Sequence, residues 1–187
     1  MNPSEIAQDI AEQKIAHCKA EQIHYLNLSD LGLSVLPESI AELTWIQALT
    51  LSRNALTNID AIATLTNLHK LSFANNNISD IEVLKNLPKL KHLFIKYNNI
   101  SDLSPLANHQ KLKKLEANHN SISTLKHIRH STQLVFLDVT HNRLENINDL
   151  LKVQSLVWLC IEKNPLGPYK LSDIAQALPN LRHFTYR

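Results

Sequence analysis

The chain has 187 residues, with 19 lysines and arginines against 17 aspartates and glutamates, for a formal net charge of +2. That length can bury a substantial core as one domain, and near-neutrality calls for neither nucleic acid nor an anionic membrane. No segment approaches the roughly 18 uninterrupted apolar residues of a membrane span, the opening MNPSEIAQDIAEQ has no leader character, and two cysteines make no disulfide framework. These features lead to the expectation of a soluble protein of a reducing compartment, placed in the cytoplasm, with secretion lacking a classical signal as the alternative.

Residues 4–20, SEIAQDIAEQKIAHCKA, read as a helix. Ser4 is the expected cap and acidic residues occupy the first turn. Ala7, Ile10, Ala11, Ile15 and Cys18 fall near one face, so the helix should cover the open end of a core, with Cys18 acting as a small buried hydrophobe.

From Ile23 onward the chain repeats itself. Asn54, Asn76, Asn98, Asn120, Asn142 and Asn164 return every 22 residues. Each sits in the ninth place of a phrase L-x-x-L-x-L-x-x-N-x-L that begins at Ile46, Leu68, Leu90, Leu112, Leu134 and Leu156. A variant begins at Ile23, with Leu31 in the asparagine position. Alternation such as Leu71, Phe73 has the period of a short strand, and Ile78, Ile81, Leu84 and Leu87 suit a short helical return. Only Gly32 and Gly167 are glycines, so turns with positive φ are scarce by this reading. The asparagine amides are expected to take their place by bonding backbone groups at the bend. Around the fifth repeat the apolar positions weaken, with Ala117, His109 and Ser131 replacing larger apolar residues.

The phrase is similar to the leucine-rich repeat signature. The stretches NNISDIEVLKNLPKL and NNISDLSPLANHQKL resemble the short repeats of internalins and of the phosphatase-regulator class, over about residues 46–164. LNLSDLGLSVLPESIAEL resembles the first repeat of many bacterial members, and in DLSPLAN Ser104 looks like a cap with Pro105 opening the return helix. The resemblance implies an α/β leucine-rich repeat solenoid, with strands on the concave side, short returns on the convex side and helical caps. One domain over 1–187 is expected: a capping helix at 1–22, repeats over 23–164 and a cap over 165–187. In that cap Leu156 to Leu181 breaks the period at 25 residues, and LRHFTYR closes it as a strand. With both caps present the chain reads as complete.

In such a coil the third, fifth and seventh positions of each phrase should face the concave side. The first repeats place small polar residues there. The later ones gather Phe94, Phe136 and Trp158 among Lys114, Glu116, Asp138 and Glu162. Aromatics mixed with charges on a solvated face suit a binding surface for another protein. Lys89, Lys91, Lys111, Lys113 and Lys114 should form a basic edge, but interleaved aromatics and overall basicity are lacking, which disfavours nucleic acid. His119 and His141 share the eighth position in adjacent repeats, where Tyr97 and Lys163 supply no third metal ligand. No phosphate-cradling loop and no nucleophile–base pair stands out. The sequence therefore predicts a non-catalytic, monomeric protein-binding module without cofactor or metal. It would act either as a secreted or injected host-interacting factor or as a cytosolic regulatory subunit of an enzyme.

Overall fold

The computed structural model describes residues 2–168 and 171–186. Its strands are β1 (Tyr25–Asn27), β2 (Ala48–Thr50), β3 (Lys70–Ser72), β4 (His92–Phe94), β5 (Lys114–Glu116), β6 (Phe136–Asp138), β7 (Trp158–Cys160) and β8 (His183–Thr185). They form one parallel sheet in the order of the chain. The register is constant: Leu49 pairs with Leu71, Leu71 with Leu93, Leu93 with Leu115 and Leu115 with Leu137. Each of β1–β6 is followed by a bend and a short 3₁₀ return, such as Glu82–Asn86 or Ser104–Leu106, before the next strand begins. The result is a leucine-rich repeat solenoid.

The leucines of the phrase form the core because each points into the coil and meets its counterpart one strand away. Leu68, Leu71, Phe73, Ile78, Leu84 and Leu87 are fully buried in the third coil, and their equivalents repeat the pattern in the neighbours. No coil closes its own interior, so burial depends on stacking.

The asparagine column works as a buried bracket. Asn98 Nδ2 donates to the carbonyls of Phe73 (3.0 Å), Ile95 (3.1 Å) and Lys96 (3.3 Å), and its Oδ1 accepts from the Ile78 N–H (3.0 Å). Each amide thus satisfies backbone groups of its own coil and of the one before it. The bend nevertheless runs through positive φ, contrary to the glycine argument. Asp30, Arg53, Asn75, Tyr97, His119, His141 and Lys163, all in the eighth position, have φ between 53° and 60°. A left-handed non-glycine residue costs roughly 1–2 kcal/mol, and the amide next to it offsets that cost with several buried hydrogen bonds.

A second column escapes a sequence reading built on leucine. The thirteenth residue of successive phrases accepts the backbone N–H two places on. Asn58 does so for Asp60 (2.6 Å), Asp80 for Glu82 (2.8 Å) and Asp102 for Ser104 (2.8 Å), and each starts a 3₁₀ return. Ser104 is therefore not the cap. Its hydroxyl donates to Asp102 Oδ2, and Asp102 does the capping.

The ends differ from the coils. Helix α1 (Pro3–Ala20) is capped by Asn2 rather than Ser4, because Asn2 and Glu5 form a reciprocal capping box and Pro3 takes the first helical position. Ala7, Ala11, Ile15 and Cys18 are buried against the first coil, whereas Ile10 lies off that face and stays 37% exposed. Burial raises the Cys18 thiol above its ordinary pKa. Cys160, on β7 at the far end of the stack, is a second free thiol. At that end helix α2 (Leu171–Ala177) precedes β8, and Ile174 and Leu178 are buried beneath the last coil. Among the described residues no helix is long and apolar enough to cross a membrane.

The weak fifth repeat takes a specific form. His109 occupies the place held by Leu65 and Leu87, is 3% exposed, and both of its ring nitrogens lack a hydrogen bond of good geometry. Burial depresses its pKa, against a smaller opposing pull from the carbonyls of Leu87, Leu84 and Leu106. A histidine whose folded pKa is lowered contributes full stability above about 6.5, the ordinary value, and loses it as pH falls toward the depressed folded value. His109→Leu should raise stability by about 1–2 kcal/mol, since a buried ring without partners gives way to an apolar fit. It should also flatten the acid side of the stability curve, measured by urea unfolding at a series of pH values. An unchanged curve would show that His109 is solvated.

Candidate protein-binding face

The third and fifth residues of each phrase, at the two ends of its three-residue strand, build the concave surface. The seventh position behaves differently. Ser52 and Ala74 are buried, and the Ser52 hydroxyl lies 2.6 Å from that of Ser72, so this column is not the open surface that alternation alone predicts. The strands end at the fifth residue, and the chain is already turning inward at the seventh.

The third-position column holds the main feature. Register pairs Lys114 with Phe136, Phe136 with Trp158, and Trp158 with His183. The Phe136 and Trp158 rings stack with centroids 5.7 Å apart and planes 22° from parallel, and Trp158 stacks on His183 at 3.9 Å. The Lys114 ammonium caps the other end, 4.2 Å from the Phe136 centroid. The row reads cation, benzene, indole, imidazole.

Lys114 also joins Phe94 to the row, since its Nζ is 5.4 Å from that ring, and Lys70 approaches Phe94 from the other side at 5.6 Å. Glu116 pins Lys114 at 2.9 Å and reaches Lys96 at 3.5 Å. The structure thus brings together Phe94, Lys114, Glu116, Phe136 and Trp158. Asp138 turns one oxygen to the Thr140 N–H at 3.0 Å, and among the described residues no ion pair joins Asp138 or Glu162 to these lysines.

His183 was missed because it lies past the break in period. Counting the phrase afresh from Leu181 would have placed it in the third position, so the signal was present. Trp158 remains 37% exposed despite its two ring neighbours, and its indole N–H donates to the Cys160 sulfur at 3.1 Å.

At the bend, Tyr97, His119 and His141 form a second stack, with successive centroids 4.1 Å apart. Parallel imidazoles direct their nitrogens outward in the ring planes rather than toward a shared point. Burial lowers the His119 pKa, His141 adds to the effect, and Asp138 opposes it. Among the described residues no three histidine, cysteine or acidic side chains converge as metal ligands.

Comparison with known proteins agrees with this geometry. The family model described as leucine-rich repeats (2 copies) matches residues 66–108. An internalin of Listeria monocytogenes superposes with a TM-score of 0.78 at 31% identity, over 87% of this chain and 48% of its own. The chain therefore spans about half the length of that relative. Internalin C2 of the same organism superposes at 0.85 with 21% identity, over 99% of this chain and 86% of its own. A leucine-rich repeat protein of Leptospira interrogans gives 0.74 at 25% identity, over 81% of this chain and 40% of its own. No curated protein matches. Leucine-rich repeat domains are in general protein-interaction modules and typically non-enzymatic scaffolds. The repeat phrase, the coil it builds and the matched family model make this chain a leucine-rich repeat protein with internalin-like repeats.

Proposed function

We propose that the chain is a non-catalytic module that binds another protein on the aromatic half of its concave sheet, over β4–β8. The observation that carries this reading is Trp158, more than a third exposed while held between Phe136 and His183. Stacking fixes the ring in advance, so little conformational freedom remains to be lost on docking. Aromatic anchors of this kind dominate interface energies. A small-molecule role for this face is less well served: the depression beside the row, lined by Thr50, Lys70, Ser72 and Phe94, is open and only about 220 Å³. Enclosed ligand sites usually run from about 300 Å³ upward. We place the protein in the cytosol on the strength of its two free thiols, one of them half-exposed.

The test begins with capture by the intact protein and identification of what it retains. Phe136→Ala with Trp158→Ala should then weaken binding of that partner by more than about 2 kcal/mol. The fold should lose roughly 1–2 kcal/mol from the stack and its cation, which the protein survives. Tyr25→Ala with Thr50→Ala, on the first two strands, is the control and should leave binding intact. Ser52 is unsuitable as a control because its hydroxyl is buried and bonded. Loss of binding in the control but not in the aromatic variant would move the interface to the other half of the arc.

A further inference from the structure

The start of β3–β5 carries a concentration of cations, of which Lys89, Lys91, Lys111 and Lys113 are not used by the aromatic row. Resting on the protein-binding reading above, we infer that the partner lays a short carboxylate-rich segment along this lysine edge, beside the aromatic row. Backbone bonds set the spacing: Lys91 N–H donates to His69 O and Lys113 N–H to Lys91 O, each at 2.8 Å. Second-position residues His69, Lys91 and Lys113 therefore stand one strand spacing apart, about 4.8 Å. Lys89 and Lys111 lie two residues earlier in the same coils, and Lys70, His92 and Lys114 one residue later.

Like charges directly opposite one another in a sheet are destabilising. Here Lys89 donates to Asn67 Oδ1 at 2.6 Å and Lys70 faces the Phe94 ring, but neither contact supplies a negative charge. Among the described residues no carboxylate lies within ion-pair distance of Lys70, Lys89, Lys91, Lys111 or Lys113; Glu116 serves Lys114 and Lys96. Their field is felt locally. Burial, reinforced by Lys91, Lys89 and Lys111, holds His69 below the usual histidine range. Burial with Lys70, Lys113, Lys114 and Lys91 does the same to His92. An external anion is the missing counter-charge.

The edge's extent chooses the anion. His69, Lys91 and Lys113 span two spacings, roughly 10 Å. On one side the column continues with Gln47. On the other it continues with Val135 and Val157, 42% and 36% exposed. A polyphosphate backbone needs positive charge to continue along its path, and would meet valines here and Glu116 and Asp138 on the strands behind. A peptide with a few carboxylates followed by apolar residues fits cations that give way to valines. No arginine, the residue best suited to grip phosphate in two places, lies among these positions.

The experiment uses the full chain, a fluorescent oligoglutamate peptide and an oligothymidylate of equal charge, with binding read by anisotropy. The peptide should bind at low salt, weaken as salt rises, and bind more tightly than the oligonucleotide. Lys91→Glu with Lys113→Glu should weaken it about tenfold or more; the substitution relieves repulsion, so the fold persists. Lys126→Glu with Lys152→Glu, on the return side, makes the same change in net charge and should leave peptide binding unaltered. The peptide carries no apolar side chain to engage the aromatic row, so its binding reads the lysine edge alone and failure of the aromatic interface and failure of the lysine edge are told apart. Equal loss in the two lysine pairs, absence of peptide binding at low salt, or tighter binding of the oligonucleotide would each overturn the proposal.

Discussion

Asn98→Ala should remove a large share of the protein's stability. The amide is 8% exposed and makes hydrogen bonds to four backbone groups on two coils. Removing it leaves the buried Ile78 N–H without a partner in a space alanine does not fill, and takes one of two bonds from the Phe73 and Ile95 carbonyls, which keep those from Asn76 Nδ2 (2.9 Å) and Asn120 Nδ2 (3.0 Å). One buried group left unpaired costs about 1–3 kcal/mol and each further lost bond about 0.5–1.5 kcal/mol, so the loss is roughly 2–4 kcal/mol, a large share of the roughly 5–15 kcal/mol that holds a domain together. Asn98→Asp tests the donor role separately. Its carboxylate can still accept from Ile78 but sets negative charge against the Phe73 and Ile95 carbonyls, so it should be nearly as damaging. Asn164→Ala removes an equivalent amide whose surroundings are only half-buried, where water can reach the freed groups, and should cost less. Urea midpoints for the three variants check the order. A loss below about 1 kcal/mol for Asn98→Ala would show that the bend is held by its leucines alone.

The same residue shows what a sequence can disclose. Asn98 stands out because its period of 22 has no cause except stacking, and the period with its leucines gives the strands, their parallel order and their register. The column at position eight was less legible. Its members are Asp, Arg, Asn, Tyr, His, His and Lys, which share no chemistry, and what unites them is a backbone angle. The caps were hard for another reason. Asn2, Ser4 and Asp102, Ser104 are each pairs of competent capping residues two apart, and choosing between them needs the path of the backbone. At the binding face, alternation correctly put Phe94, Phe136 and Trp158 in the open. It could not show that Lys114 would lie between Phe94 and Phe136, because that depends on which of several rotamers a long side chain adopts. Nor could it show that Asp138 would spend its charge on Thr140. His183 belongs to a third kind of omission, a residue in the right phase of a phrase whose period had just failed.

That broken period makes the other large effect. Cutting the chain after Gly167 should abolish cooperative unfolding and leave a product that aggregates. The removed segment holds β8, whose Thr185 carbonyl accepts from Ile161 N–H at 2.8 Å, while Arg182 and His183 donate to Val157 O at 2.8 and 3.0 Å. Without it β7 becomes an unpaired edge that exposes a row of backbone groups to other chains. Leu156, Leu159 and Ile161, now at most 1% exposed, lose their cover, and re-exposing each such side chain costs roughly 1.5–3 kcal/mol. In a stack where each coil is stabilised mainly by its neighbours, a loss at the end propagates inward. A milder variant separates cover from strand pairing. Leu178→Ala keeps β8 but opens a cavity beneath the last coil, and should cost about 2–4 kcal/mol with unfolding still cooperative. Because Trp158 leans on His183, that variant should also loosen the indole and raise its mobility in fluorescence anisotropy decay, whereas Tyr25→Ala should not. A soluble truncation that melts like the full chain would reduce residues 168–187 to a tail and remove His183 from the binding row.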